Sequence, residues 1–147
     1  MKNSYADNGM VTYGADEIST VTHLLDSLRD RCKIFAFIGS LGAGKTTLVR
    51  SLLKECGVQG PITSPTFTYV NCYKNGQGKL FYHFDCYRIT SIDEFIQAGF
   101  DEYLYQENSW CFIEWPELIV PLFDQAVCYV SIDYISDEQR VLSYKVV

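Results

Sequence analysis

At 147 residues the chain fits one domain spanning 1–147, long enough for a single core and too short for two. Hydrophobic residues make up 48% and charged residues 20%, a balance that excludes a disordered chain. Twelve basic residues against eighteen acidic ones, a net charge of −6, argue against a surface that grips nucleic acid unaided, because phosphate binding needs concentrated positive charge.

In chain order, residues 10–13 suit a short edge strand. Across 16–31 the apolar residues Ile18, Val21, Leu24, Leu25 and Leu28 recur at helical spacing. Residues 33–38 form an almost wholly apolar run ending at Gly39, the pattern of a strand buried on both faces of a parallel sheet. Residues 46–56 return to a helical pattern that Gly57 can cap. Strands are predicted over 67–74 and 80–85, joined by Asn75-Gly76-Gln77-Gly78, a hairpin-turn composition. Ser91 is a candidate N-cap for a helix to about 98, with Asp93 and Glu94 in its first turn. Residues 110–113 are a further apolar strand leading into Glu114. After Pro116 comes a short helical or irregular piece, then strands over 126–134 and 140–146 that pair antiparallel. Alternating strands and helices imply an α/β fold with helices on both faces of the sheet.

The six cysteines form no CxxC pair, which gives no zinc or thioredoxin-like signature, and several sit in apolar runs as small hydrophobes. Residues 1–9 are polar, unlike a secretory signal, and no apolar run approaches the roughly 18 to 20 residues that span a bilayer. A reduced, cytoplasmic protein with no membrane partner is the expectation.

One motif carries the chemistry. Gly39-Ser40-Leu41-Gly42-Ala43-Gly44-Lys45-Thr46 matches GxxxxGK[ST], between an apolar strand and an amphipathic helix. The glycines let the backbone close its amide groups around phosphate oxygens. The helix start presents free N–H groups and the positive end of its dipole to the same anion. Lys45 is placed to reach the β- and γ-phosphates, and the Thr46 hydroxyl to ligate magnesium. Such a site needs a further carboxylate at a neighbouring strand end, where ligands of open α/β sheets bind; Glu114 and Asp85 are the candidates. Thr66, in Ser64-Pro65-Thr66-Phe67, is either a switch residue sensing the γ-phosphate or a hydroxyl capping a turn.

These pieces together resemble the TsaE (YjeE) family, ATPases of tRNA threonylcarbamoyladenosine synthesis. The resemblance runs from about 12 to 146 and rests on Gly39 to Thr47, Ser64-Pro65-Thr66-Phe67-Thr68, and His83-Phe84-Asp85-Cys86-Tyr87-Arg88. It is completed by the 94–103 stretch with Gly99 and Tyr103, and by Ile113-Glu114-Trp115-Pro116-Glu117. It implies a single P-loop NTPase-like domain with a mixed, largely parallel sheet flanked by helices, binding ATP or ADP with Mg2+. It implies that Thr46 and Glu114 hold magnesium and that Asp85 serves hydrolysis, by orienting water, ligating the metal, or both. Thr66 corresponds to the switch threonine. Trp115 is similar to a tryptophan near the nucleotide, or is an aromatic core plug. The segments near 12–16 and Arg140 are expected to flank the base. The implied partners are TsaB-like and TsaD-like proteins, with tRNA reached only through their complex and hydrolysis slow until they stimulate it. One departure stands out: family members carry an acidic residue where this chain has Ser40.

Two other classes use the same loop. A small P-loop kinase needs a substrate pocket and lid arginines, which this chain has few residues to supply. A nucleotide-sensing adaptor binds ATP to dock and hydrolyses it negligibly. A GTPase is disfavoured because no [NT]KxD tetrapeptide occurs.

Overall fold

The computed structural model describes residues 6–147. Seven strands form one sheet in the order β1-β7-β6-β2-β5-β4-β3. They are β1 (Asn8–Gly14), β2 (Ile34–Ile38), β3 (Val70–Lys74), β4 (Leu80–Asp85), β5 (Ser109–Glu114), β6 (Val127–Tyr134) and β7 (Gln139–Val146). The central strands β6, β2, β5 and β4 run parallel. At the flanks β1 with β7, β7 with β6 and β3 with β4 pair antiparallel, so the sheet is mixed, with its parallel part at the centre.

Helices cover both faces, as the alternation of elements predicts. On one face α1 (Ile18–Ser27) and α2 (Lys45–Glu55) bury Val21, Leu25, Leu48, Val49 and Leu52 against Phe35, Phe37, Phe81 and Phe112 of the sheet. On the other, α3 (Ile92–Gln97) and the 3-10 segment Phe100–Tyr105 bury Phe95 and Leu104 against Ile34, Ala36, Tyr82, Phe84, Cys111 and Ile113. Because side chains alternate across a strand, the odd-numbered residues Phe81, His83 and Asp85 of β4 and the even-numbered Trp110, Phe112 and Glu114 of β5 share the α1/α2 face. Along β4 this face runs from aromatic to polar to acidic, beside Trp110, Phe112 and Glu114 of β5.

Local signals explain most boundaries. Gly57 (φ 92°) ends α2 in the left-handed region, with its N–H donating to Lys54 O at 3.0 Å and Val58 N–H to Leu53 O at 3.0 Å. Ser91 Oγ accepts from Glu94 N–H at 3.1 Å, capping α3 as its position predicts. In the β3–β4 turn, Asn75 Oδ1 accepts from Gln77 N–H and Lys79 N–H at 3.0 Å, while Asn75 Nδ2 donates to Cys56 O at 2.9 Å. The hairpin turn is therefore also tied to the end of α2.

The predicted strand over 67–74 starts three residues late, at Val70. Residues 66–69 turn instead: Tyr69 adopts φ 66° and its N–H donates to Pro65 O at 2.8 Å, a geometry that no strand ladder accommodates. The predicted helix over 16–31 is likewise shorter, opening as a 3-10 turn and closing at Ser27. All six cysteines are free thiols, and only Cys72 is exposed. Among the described residues no helix is long and apolar enough to cross a membrane.

Candidate functional site

The P-loop joins β2 to α2 beneath the carboxyl ends of the parallel strands. Two glycines in it answer specific steric demands. A Cβ on Gly39 would lie 2.6 Å from Ile132 O of β6, and Gly44 adopts φ 101° at the N-terminus of α2. No side chain caps α2, so its first N–H groups are left for a ligand. Ala43, by contrast, is fully buried and contributes its methyl group to the core.

A cleft of about 430 Å³ opens there, lined by Leu41, Gly42, Gly44, Lys45, Thr46, Thr47, Thr66, Asp85, Glu114 and Trp115, together with Tyr87 and Arg88. Of the sequence-predicted residues, Gly39, Ser40 and Ala43 do not line it. The first two instead offer their carbonyl oxygens to Lys45 Nζ at 2.6 and 3.0 Å.

Lys45 is only 5% exposed, and among the described residues no carboxylate lies within ion-pair distance of it. Its ammonium sits 4.0 Å from the Trp115 ring centroid as well as against the two carbonyls. Burial pushes the Lys45 ammonium below the usual lysine range, while Glu114, Glu117 and Asp85 pull it back up. A buried cation in such surroundings is stabilised by an anion brought to it.

Glu114, at the end of β5 and 2% exposed, accepts from Thr46 Oγ1 at 2.7 Å on Oε1. Its other oxygen, Oε2, lies 2.5 Å from His83 Nε2. Asp85 is paired in register with Glu114, and its Oδ1 accepts from Tyr87 N–H at 3.0 Å. Thr66 Oγ1 and Ser64 Oγ share a hydrogen bond of 2.7 Å, so the loop holds Thr66 at the cleft through its own hydroxyl pair. Trp115 (φ 55°) turns the chain in the left-handed region directly after Glu114, packs 4.9 Å from the Tyr87 ring, and touches the second core cluster. It is thus both a cleft wall and a core plug.

Thr46, Glu114 and Asp85 supply hard oxygen donors, a set suited to Mg2+ completed by phosphate oxygens and water. Among the described residues no cluster of three or more His, Cys, Asp or Glu forms a self-sufficient metal cage.

A second pocket of about 160 Å³ adjoins the first through Gly44 and Thr47. It is lined by Tyr13, Gly14, Ala15 and Ile18 on one side and Asp137, Glu138 and Arg140 on the other. These are the two segments expected to flank a base. The β6–β7 hairpin also grips the P-loop from outside. The Tyr134 hydroxyl donates to Gly42 O, Arg140 Nε donates to Ala43 O at 3.2 Å, and the Arg140 guanidinium stacks 4.0 Å from the Tyr134 ring centroid.

Sequence reasoning assigned no role to His83 and Tyr134. His83 had a usable signal, since period-two alternation puts it on the same strand face as Asp85. Tyr134 had none, because its contact is made across 92 residues of sequence.

Comparison with known proteins identifies a family. The family model for the threonylcarbamoyl adenosine biosynthesis protein TsaE matches residues 13–142. The tRNA threonylcarbamoyladenosine biosynthesis protein TsaE of Haemophilus influenzae is 43% identical over 103 residues, covering 70% of this chain but only 64% of that protein's length. The protein of the same description from Treponema pallidum is 31% identical over 134 residues, 90% of this chain and 96% of its own. The crystal structure of Bacillus subtilis YdiB superposes with a TM-score of 0.64 at 24% identity, over 96% of this chain and 87% of that one, a likeness of fold. With the P-loop, the paired carboxylates and these matches in place, the chain belongs to the TsaE family.

Proposed function

We propose that this chain binds Mg-ATP in the P-loop cleft and hydrolyses it to ADP and phosphate, in the service of threonylcarbamoyladenosine modification of tRNA. The observation that carries the reading is Lys45, buried at the head of an uncapped helix with no carboxylate partner among the described residues, beside the Thr46–Glu114 pair. Family membership supplies the pathway, through relatives described as tRNA threonylcarbamoyladenosine biosynthesis proteins.

The chain's own residues divide the work. Lys45 exchanges its bonds to Gly39 O and Ser40 O for oxygens of the terminal phosphates, while the first N–H groups of α2 cradle the anion. Thr46 and Glu114 hold magnesium, which when bound neutralises charge building on the phosphate oxygens. Asp85, one strand over, orients the attacking water with the oxygen that does not anchor Tyr87 N–H. Thr66 reports the presence of the γ-phosphate to the 66–69 turn. The pocket between Tyr13 and Arg140 takes the base.

The partners in this reading are TsaB-like and TsaD-like proteins in the cytoplasm, whose complex holds the tRNA. A net charge of −6 accords with a subunit that touches RNA only through them. The test is ATP hydrolysis by the purified chain, alone and with those proteins and tRNA, with Lys45→Ala as control. The expected outcome is slow basal turnover, strong stimulation by the complex, and loss of nucleotide binding by calorimetry in Lys45→Ala. Tight binding without stimulated turnover identifies a nucleotide-sensing adaptor instead, and unchanged affinity in Lys45→Ala rejects the P-loop assignment.

A further inference from the structure

His83 is wholly buried between the aromatic core and the cleft, and its ring makes one polar contact, from Nε2 to Glu114 Oε2 at 2.5 Å. Nδ1 has no hydrogen-bond partner among the described residues. An imidazole that merely filled this space would be a poor choice beside Phe81 and Phe112. It forfeits hydration at both nitrogens and recovers a partner at only one. What the ring adds over a hydrocarbon is therefore concentrated at Glu114.

The geometry of that contact is specific. A carboxylate offers only acceptor oxygens, so Nε2–H is the donor. Glu114 is then held at both ends, Oε2 by His83 from the core side and Oε1 by Thr46 Oγ1 from the cleft side. The two grips differ in kind. Thr46 sits at the start of α2 and is itself a magnesium ligand in the reading above, so its hydroxyl would be shared between Glu114 and the ion. His83 lies on β4, paired with β5 along the whole run to Asp85–Glu114, and has no such second duty.

We propose that His83 is a positioning residue: its Nε2–H fixes the Glu114 carboxylate so that Oε1 faces the magnesium position before the ion arrives. The proposal rests on the Mg-nucleotide reading of the site. Outer partners of this kind orient a ligand that would otherwise spend its freedom among rotamers. Here the freedom is that of a glutamate with several rotatable bonds at a strand end, next to Trp115 in a left-handed turn.

The experiment is calorimetric titration of the protein–ADP complex with Mg2+, alongside ADP binding without metal. The variants are His83→Leu, the shape-preserving His83→Phe, and His83→Gln, whose amide nitrogen can stand where Nε2 stands. His83→Leu and His83→Phe are expected to weaken Mg2+ binding by about 10- to 100-fold. Metal-free ADP affinity should stay within about twofold of wild type, and His83→Gln should recover most of the loss. If Leu at this position prevents folding, the contrast between the Phe and Gln variants decides. Magnesium affinity in the folded apolar variants within about twofold of wild type overturns the proposal. So does an equal loss of ADP affinity with and without metal, which would mark His83 as support for the cleft as a whole. A wild-type complex that takes up no Mg2+ at all removes the Mg-nucleotide reading itself, a result separate from any difference among variants.

Discussion

Asp85 and Glu114 stand side by side at the ends of neighbouring parallel strands, yet their surroundings assign them different work. Glu114 is buried, and both of its oxygens are engaged by the side chains of His83 and Thr46. Asp85 is half-buried, and one oxygen anchors the backbone turn at Tyr87. That anchoring confounds a simple truncation, because Asp85→Ala loses the turn along with the charge. Asp85→Asn keeps an acceptor for Tyr87 N–H at Oδ1 and replaces the other, charged oxygen with an NH2 donor. We expect it to lower ATP turnover at least about tenfold, equivalent to about 1.4 kcal/mol of transition-state stabilisation. Nucleotide affinity, read by calorimetry, should stay within about twofold. Turnover close to wild type removes Asp85 from the hydrolytic step. The placement of these residues beside the P-loop was legible in the sequence because each follows an apolar run or sits in a fixed motif. The Lys45 contact with Trp115 and the Glu114 contact with His83 were not, since both depend on which strand faces which.

Among the elements, the β6–β7 hairpin does what no local pattern announces. It binds the outer carbonyls of the P-loop, Gly42 O through Tyr134 and Ala43 O through Arg140. Within a trans peptide the C=O and the following N–H point in opposite directions. Pinning Ala43 O to the hairpin therefore turns Gly44 N–H away from it, toward the interior of the loop. Tyr134→Phe removes one of the two pins. One hydrogen bond of about 0.5–1.5 kcal/mol translates into an ADP affinity about 2- to 13-fold weaker, measured by calorimetry. Undiminished affinity means the loop holds its shape without Tyr134. The hairpin's strands themselves were readable from composition, whereas its grip on a loop encoded some 90 residues earlier was not. The β3 start was misplaced for a related reason. Phe67 and Tyr69 are strong strand formers, but Tyr69 adopts φ 66° and Phe67 stays 80% exposed beneath the Arg88 guanidinium, 4.9 Å from its ring centroid.

For the whole molecule, the wholly buried runs β2 and β5 lie at the centre of the sheet and the half-exposed β1 at a flank. The strand order itself was beyond the sequence, because register between distant strands is set by cores that assemble only in three dimensions. The same burial governs the thiols. Burial pushes the Cys86 and Cys128 thiols up to about 12 and raises the other four from their ordinary value. Since the thiolate is the reactive form, alkylation of the native protein at pH 8 should mark Cys72 alone, and slowly. Denaturation should then release all six thiols, as counted by intact mass. Native labelling of a buried cysteine would reveal local opening of the core.

The pairing of β1 with β7 also sets an order of events during synthesis. Among the described residues, β1 leaves the ribosome well before β7, the strand it pairs with. The P-loop, Asp85 and Glu114 emerge in between, while Arg140 and the cover for β1 arrive with β7. Such long-range closure is the slow part of folding. A nascent chain thus carries its whole P-loop for some time before the hairpin that holds the loop's carbonyls exists.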